Sequence, residues 1–188
     1  MLLTTTVPAG LTAMQALDRK VRLETRYGGR YVQGIDGLGG SVTSKRDWFW
    51  FVNGYEGDRS AAEYRLRAGD VEWWDYRSWG RRFRAPVVVG AFPEPFVHGF
   101  GGRRRPSVVV GPPGPETRRL ARLVGAGRIV RGAADAPHGA NVLELVPMGT
   151  TSFRATVTGR PGGPVRFIFR GDPAKLVPGF ARFRYDVR

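Results

Sequence analysis

The 188-residue chain contains no cysteine and only two histidines, His98 and His138. Without cysteine it can form neither a disulfide nor a thiolate metal site, and it has no cysteine nucleophile. Two histidines are too few for a metal centre built from several imidazoles, so no metal site is expected. The longest uncharged stretch, residues 1–17, is shorter than the ~20 predominantly apolar residues of a membrane-spanning helix and contains four threonines and a proline, so no transmembrane segment is expected in this chain.

Lysine is also scarce. Three of the 30 basic residues are lysines, so 30 − 3 leaves 27 arginines, and 16 acidic residues leave a net charge of +14. Residues 1–85 hold 14 basic and 10 acidic side chains (+4), whereas residues 86–188 hold 16 and 6 (+10). A basic second half can attract phospholipid head groups or wall polymers. A solvated arginine-rich surface is the alternative, and nucleic acid is not expected as a partner.

The densest basic segments flank the middle of the chain. Guanidinium groups bind phosphate and carboxylate well because their N–H donors form a fork. The residues that we predict to face an anionic surface are Arg81, Arg82, Arg84, Arg103, Arg104 and Arg105. The alternative is that these arginines lie on ordinary solvated loops.

The first 80 residues show a strand, a helix and then further strands. The apolar spacing predicts a helix over 12–22, and β-branched or aromatic runs predict strands over 2–7, 30–35, 48–52, 64–66 and 71–77. Asn53-Gly54 favours a tight turn with positive φ. One helix beside a small mixed sheet is the β-grasp arrangement.

The rest of the chain begins with a Pro/Gly/Arg-rich connector over 81–104. Strands are then predicted over 107–110, 128–130, 142–146, 153–158, 165–169 and 183–187, with a helix over 116–124. This order indicates a small α/β or α+β domain over 105–188. The predicted class is therefore α+β, with a β-grasp domain over 1–80 followed by a second small domain.

Four segments occur in order along the first domain: Val7-Pro-Ala-Gly-Leu-Thr-Ala13, Tyr31-Val-Gln-Gly-Ile-Asp-Gly-Leu38, Asp47-Trp-Phe-Trp-Phe-Val-Asn-Gly54 and Tyr64-Arg-Leu-Arg-Ala-Gly-Asp-Val-Glu-Trp-Trp-Asp-Tyr-Arg77. Together they resemble the transcobalamin-like C-terminal domain family, a set of β-grasp domains that bind soluble ligands. The resemblance covers under half of the chain, ends near Trp79, and does not extend to residues 86–188. It implies binding rather than catalysis, cobalamin as a possible ligand, and a secreted or membrane-anchored location in the cell envelope.

All five tryptophans fall within residues 48–79. Strand side chains alternate between faces, so Trp48 and Trp50 share one face, and Trp74 and Tyr76 share another. Aromatic rings on an open sheet can stack a flat ligand. The alternative is that the second domain buries them. The predicted ligand-binding residues are Trp48, Trp50, Asn53, Trp74, Tyr76 and Trp79.

Catalysis has little support in the sequence. His98 and His138 each lie in a loop with one acid nearby, Glu94 and Asp135, and such a pair can act as a general base. We predict no catalytic residues and no certain cofactor, and keep an enzyme using either histidine as the third hypothesis.

The sequence thus predicts a non-enzymatic binding protein that is secreted or associated with the envelope, with a cobalamin-like corrinoid as the first candidate ligand. Its partner would be a small molecule or another envelope protein. The alternative function is a module that binds proteins or an anionic surface. No leader pattern follows Met1. A signal or anchor is therefore expected outside the given sequence, and the cytoplasm is the alternative location.

Overall fold

The structure is a computed structural model that describes residues 5–80 and 82–188. The predicted α+β class is confirmed, since the described chain is rich in mixed β-sheet and has few helices. It forms two compact units. The first contains the described residues of Met1–Phe51 and Gly57–Arg84, and the second contains Val52–Glu56 and Ala85–Arg188. The domain limits of 1–80, 81–104 and 105–188 stay a prediction.

Helix α1 (Ala13–Asp18) opens the first unit and begins with a capping box. The Thr12 hydroxyl accepts the Gln15 N–H at 3.2 Å, and the Gln15 side-chain oxygen accepts the Thr12 N–H at 2.9 Å. The two side chains thereby satisfy N–H groups that have no partner inside the helix. The helix ends four residues earlier than predicted: the Lys20 N–H donates to the Leu17 carbonyl at 2.9 Å, and the Arg22 N–H donates to the Asp36 carboxylate at 2.8 Å.

Two groups of strands form the sheets of the first unit. Strands β1 (Leu23–Arg26), β2 (Tyr31–Ile35) and β3 (Leu38–Gly39) form an antiparallel sheet in the order β1-β2-β3. Strand β4 (Arg46–Val52) lies beside β6 (Glu72–Ser78). Between them, Asn53 and Gly54 have φ of 48° and 76°, as the turn prediction required, and lead into β5 (Tyr55–Glu56).

Several predicted strands differ from the structure. Residues 2–4 of the first predicted strand lie outside the described residues, and residues 5–7 are not in a strand. Residues 64–66 form only an isolated bridge between Arg65 and Thr12, and residues 183–187 form only a bridge between Val187 and Phe153. The sequence signals missed the short strands β1, β3 and β5. The β-grasp arrangement itself stays a prediction.

The second unit is built on one five-stranded sheet. Its strands are β7 (Ser107–Val110), β8 (Arg128–Val130), β9 (Asn141–Val146), β10 (Ser152–Val157) and β11 (Val165–Arg170), in the order β10-β11-β9-β7-β8. Only the β10–β11 pair is antiparallel among these neighbours. Helix α2 (Pro115–Leu123) connects β7 to β8, as the parallel pairing of these strands requires.

The core of the second unit lies between α2 and one face of this sheet. Alternate strand residues such as Leu143, Phe167 and Phe169 are fully buried together with Leu120 of α2. Burial of each such side chain contributes about 1.5–3 kcal/mol. The residues between them point to the other face, where Arg154, Arg166 and Arg170 are exposed. This burial explains the alternating pattern in β9 and β11, whereas all four residues of β7 are buried and its sequence is a continuous apolar run.

Candidate functional site

Four aromatic side chains form two ring pairs across β4 and β6. The rings of Trp48 and Tyr76 have centroids 5.2 Å apart, and those of Trp50 and Trp74 are 6.4 Å apart with 29° between their planes. We call Trp48, Trp50, Trp74 and Tyr76 the aromatic ladder. All four side chains are partly exposed. The buried Tyr64 ring packs edge-on against Trp50, with 5.5 Å between the ring centroids.

The alternate residues of the same strands pack on the opposite face. Phe51 is fully buried and stacks with Trp73 at 5.1 Å. The Arg77 guanidinium is also buried and lies 3.8 Å from the centre of the Phe49 ring, which is a cation–π contact. The alternation of strand side chains thus separates the ladder from this second set of rings.

The ladder rings are held by hydrogen bonds to strand β3. The Trp48 indole N–H donates to the Leu38 carbonyl at 2.7 Å, and the Tyr76 hydroxyl donates to the Gly39 carbonyl at 3.0 Å. Gly57 lies so close to the Trp50 ring that a Cβ there would stand 2.0 Å from an indole carbon. A side chain at Gly57 would therefore displace that ring.

Glu72 is on the same side of β6 as Trp74 and Tyr76. Burial raises the pKa of its carboxyl from 4.5 to about 8, although the Trp74 indole N–H, which donates to this carboxylate, acts in the opposite direction. The charged form is disfavoured because the site offers less solvation than water does. Sequence reasoning missed Glu72, and the signal that could have found it is its i, i+2 spacing from Trp74.

The two remaining predicted ligand residues lie apart from the ladder pairs. Asn53 belongs to the second unit, where it is fully buried and its amide donates to the Gly99 carbonyl at 3.0 Å. Trp79 follows the end of β6, and its backbone N–H donates to the Lys45 carbonyl at 2.9 Å. The structure therefore brings together four of the six residues predicted to bind a ligand.

The predicted anionic-surface residues do not all present free guanidinium groups. Arg104 donates to the carbonyls of Phe96 and Gly125 at 2.9 and 2.7 Å. Arg105 donates to the carbonyls of Gly162 and Gly139 at 2.7 and 3.3 Å. These two side chains hold loops of the second unit together. Of the other four, Arg84 and Arg103 are exposed, Arg82 is half-buried, and Arg81 lies outside the described residues.

The two histidines differ in their surroundings. The buried Glu94 carboxylate accepts the His98 backbone N–H at 2.9 Å and lies 2.5 Å from Nδ1 of the His98 ring, which is half-exposed. Asp135 instead accepts the Gly132 N–H at 3.3 Å, and His138 is exposed. Within residues 5–80 and 82–188, no three His, Asp or Glu side chains gather into a group that could hold a metal ion.

The first unit also carries an open groove between α1 and β1. Its volume is about 400 Å³, and its lining includes Met14, Gln15, Asp18, Leu23 and Thr25. The groove depends on how α1 lies against β1, a strand that the sequence signals did not predict. It is open to solvent, and its lining is mixed in polarity.

Residues 10–78 match the model of DUF4430, a domain family of unknown function. That family is transcobalamin-like, which suggests a binding module. The match covers less than half of the chain and includes all four ladder residues. Neither a search of curated proteins nor a search of solved structures found a match. In the part of the chain that the structure describes, no helix has the length and apolar character needed to cross a membrane.

Proposed function

We propose that this chain is a non-enzymatic binding protein, extracellular or anchored in the cell envelope, that takes a small flat ligand on the aromatic ladder. A cobalamin-like corrinoid is the first candidate ligand. The observation that carries the proposal is the pairing of four partly exposed rings on one side of β4 and β6. Planar ring surfaces of this kind stack against flat ligands at about 1–3 kcal/mol per ring.

Two further observations support a binding role. The match to a transcobalamin-like family covers the ladder strands, and resemblance to that family implies a ligand of the corrinoid type. The hydrogen bonds from Trp48 and Tyr76 to β3 fix two of the rings before any ligand arrives. Rings that are already ordered lose less conformational entropy on binding, which favours affinity.

The test is equilibrium dialysis of the whole chain against cyanocobalamin, which measures binding without relying on protein fluorescence. We expect Trp50→Ala to weaken binding by about 5- to 150-fold, the equivalent of losing one stacked ring at 1–3 kcal/mol. Tyr27→Ala is the matched control, because Tyr27 is an aromatic residue of the same unit that is 77% exposed and outside the ladder. Binding that is absent in the unmodified chain, or equally reduced by both substitutions, contradicts the proposal.

A second candidate function is binding to an anionic surface, and the sheet of the second unit favours it. Arg154, Arg166 and Arg170 are exposed on the face opposite the core, where Arg166 also forms an ion pair with Glu144 at 2.5 Å. Such a face attracts anionic head groups, and the attraction weakens as salt screens it.

This candidate is tested by sedimentation with vesicles that contain phosphatidylglycerol, at low and high salt. Replacing both Arg154 and Arg170 with glutamate is expected to release the protein from the vesicles. The control replaces both Arg118 and Arg122, which are exposed on α2, with glutamate. It changes the net charge equally and is expected to reduce vesicle binding less. Equal loss from both double variants indicates a response to net charge alone and rules out this face.

A further inference from the structure

Glu72 lies beside the aromatic ladder without an ionic partner in the described residues, although the chain has 30 basic residues. Other carboxylates do form such pairs: Glu63 with Arg30, and Glu116 with Arg119 at 2.6 Å. The contact that Glu72 makes with the ladder is the hydrogen bond it accepts from the Trp74 indole. The chain therefore leaves a carboxyl group without an ionic partner at the edge of an aromatic surface.

Two other rings of these strands hold cations from the chain itself. The Arg46 guanidinium lies 5.4 Å from the centre of the Tyr76 ring, and Arg77 lies 3.8 Å from that of Phe49. In the residues that the structure describes, no guanidinium or ammonium lies over Trp50 or Trp74. The indole ring is the strongest cation–π acceptor among the aromatic side chains. Trp50 and Trp74 are thus two strong cation acceptors that hold no cation from the described residues, and they lie next to the Glu72 carboxyl.

We infer that the Trp50–Trp74 end of the ladder binds a quaternary or alkylated ammonium group of the ligand, with the Glu72 carboxylate as its counter-charge. Such a group is large and weakly hydrated, so it gains more from an indole face than it loses in water. This inference rests on the proposed function, since it uses the same surface, and among flat ligands it selects those with an ammonium group, which a corrinoid does not carry.

The electrostatics of Glu72 are consistent with this ligand class. Burial raises the pKa of its carboxyl to about 8, which shows that the chain provides little stabilisation of the negative charge. A bound cation would provide it. A neutral ligand would leave the carboxyl protonated up to about pH 8, and an anionic ligand would disfavour its ionised form further.

The first experiment compares choline with 3,3-dimethylbutan-1-ol, an uncharged molecule of nearly the same shape. Each is titrated into the isotopically labelled chain at about pH 9, where a carboxyl with a pKa of about 8 is largely ionised. The indole N–H signals of the five tryptophans report binding by NMR. The signal of Trp74 is assigned with Trp74→Phe. We expect choline to bind about tenfold more tightly than the neutral molecule and to shift the Trp74 signal.

The second experiment repeats both titrations with Glu72→Gln, which keeps the shape of the side chain and removes its charge. The tenfold preference for choline is expected to fall to about twofold, the part due to the rings alone. Glu24→Gln removes an exposed carboxylate from β1 of the same unit and is expected to keep the full preference. Equal affinity for the two molecules in the unmodified chain, or an unchanged preference in Glu72→Gln, overturns the inference.

The two proposals fail in different ways. If cyanocobalamin binding depends on Trp50 while choline shows no preference over its neutral counterpart, the proposed function stands and the cationic end of the ligand is refuted. If choline binds with the expected dependence on Glu72 and no corrinoid binds, the ladder is a binding site for a cationic ligand and the corrinoid candidate is refuted. If neither molecule binds, both proposals fail.

Discussion

The substitution Glu72→Gln is expected to make the stability of the first unit less dependent on pH. Burial raises the folded-state pKa of Glu72 from 4.5 to about 8. A carboxyl with a raised folded pKa favours the folded state only while it is protonated. Its contribution is therefore complete below about pH 4.5 and is lost as the pH rises through about 8. Glutamine stays uncharged throughout, so the variant does not undergo this loss.

The size of the effect follows from the two pKa values. At about 1.4 kcal/mol for each pH unit, the difference between 4.5 and about 8 corresponds to about 5 kcal/mol for a carboxyl that is fully removed from water. Glu72 is partly exposed, and solvent screens its charge. We therefore expect Glu72→Gln to gain about 1–2 kcal/mol over the unmodified chain between pH 4.5 and 8, and no more above pH 8.

Urea unfolding followed by tryptophan fluorescence measures this difference. All five tryptophans lie in the first unit, so the signal reports the unfolding of that unit. The curve is recorded at several pH values for the unmodified chain, Glu72→Gln and Glu24→Gln, the last of which controls for the loss of a charge. A stability difference between Glu72→Gln and the unmodified chain that does not grow with pH would falsify the assignment of a raised pKa to Glu72.

Three further substitutions test the packing of the two units. Gly57→Ala is expected to displace the Trp50 ring, which a Cβ would approach to 2.0 Å, and so to shift the tryptophan fluorescence and weaken ligand binding. Glu94→Gln replaces a buried carboxylate that contacts the backbone N–H and the ring Nδ1 of His98. It is expected to lower the free energy of unfolding by about 1.5–3 kcal/mol, measured by chemical unfolding followed by circular dichroism. Phe167→Ala removes a fully buried ring of the second unit and is expected to cost about 3–5 kcal/mol by the same measurement.

Each of these three substitutions has a matched control substitution elsewhere in the chain. Gly39→Ala places a Cβ in ordinary contact at 3.8 Å and is expected to leave Trp50 in place. Asp135→Asn alters an exposed carboxylate, and Phe183→Ala removes a ring that is 39% exposed, so both are expected to cost less than the buried changes. A control that costs as much as its partner contradicts the packing described for that partner.

The elements that the sequence predicted well are those whose pattern is local. The apolar run at Ser107–Val110, the proline-marked start of α2 and the alternation in Val165–Arg170 each follow from neighbouring residues, and the structure has all three elements close to the expected bounds. The alternation along β4 and β6 likewise predicted that Trp48 and Trp50 share a face. Class α+β follows from the same local signals.

The errors occur where a distant residue decides the local structure. The apolar spacing predicts a helix that continues to Arg22. In the structure, the Arg22 N–H donates instead to the Asp36 carboxylate, fourteen residues away. The residues before Arg188 have the composition of a strand, yet Val187 pairs only with Phe153 through two hydrogen bonds of 2.8 Å. Arg104 and Arg105 look like a surface run in the sequence, and only the fold shows that they bind carbonyl oxygens of remote loops.

The absence of cysteine and the excess of arginine are properties of the sequence alone, and so is the spacing that places aromatic residues on alternate strand positions. Composition and periodicity determine these features because they need no partner elsewhere in the chain. Tertiary structure decides which rings pair, which arginine side chains donate to backbone carbonyls, and which carboxyl is poorly solvated. The raised pKa of Glu72 is the clearest case, since the solvation of this carboxyl depends on the folded surroundings and not on the adjacent residues in the sequence.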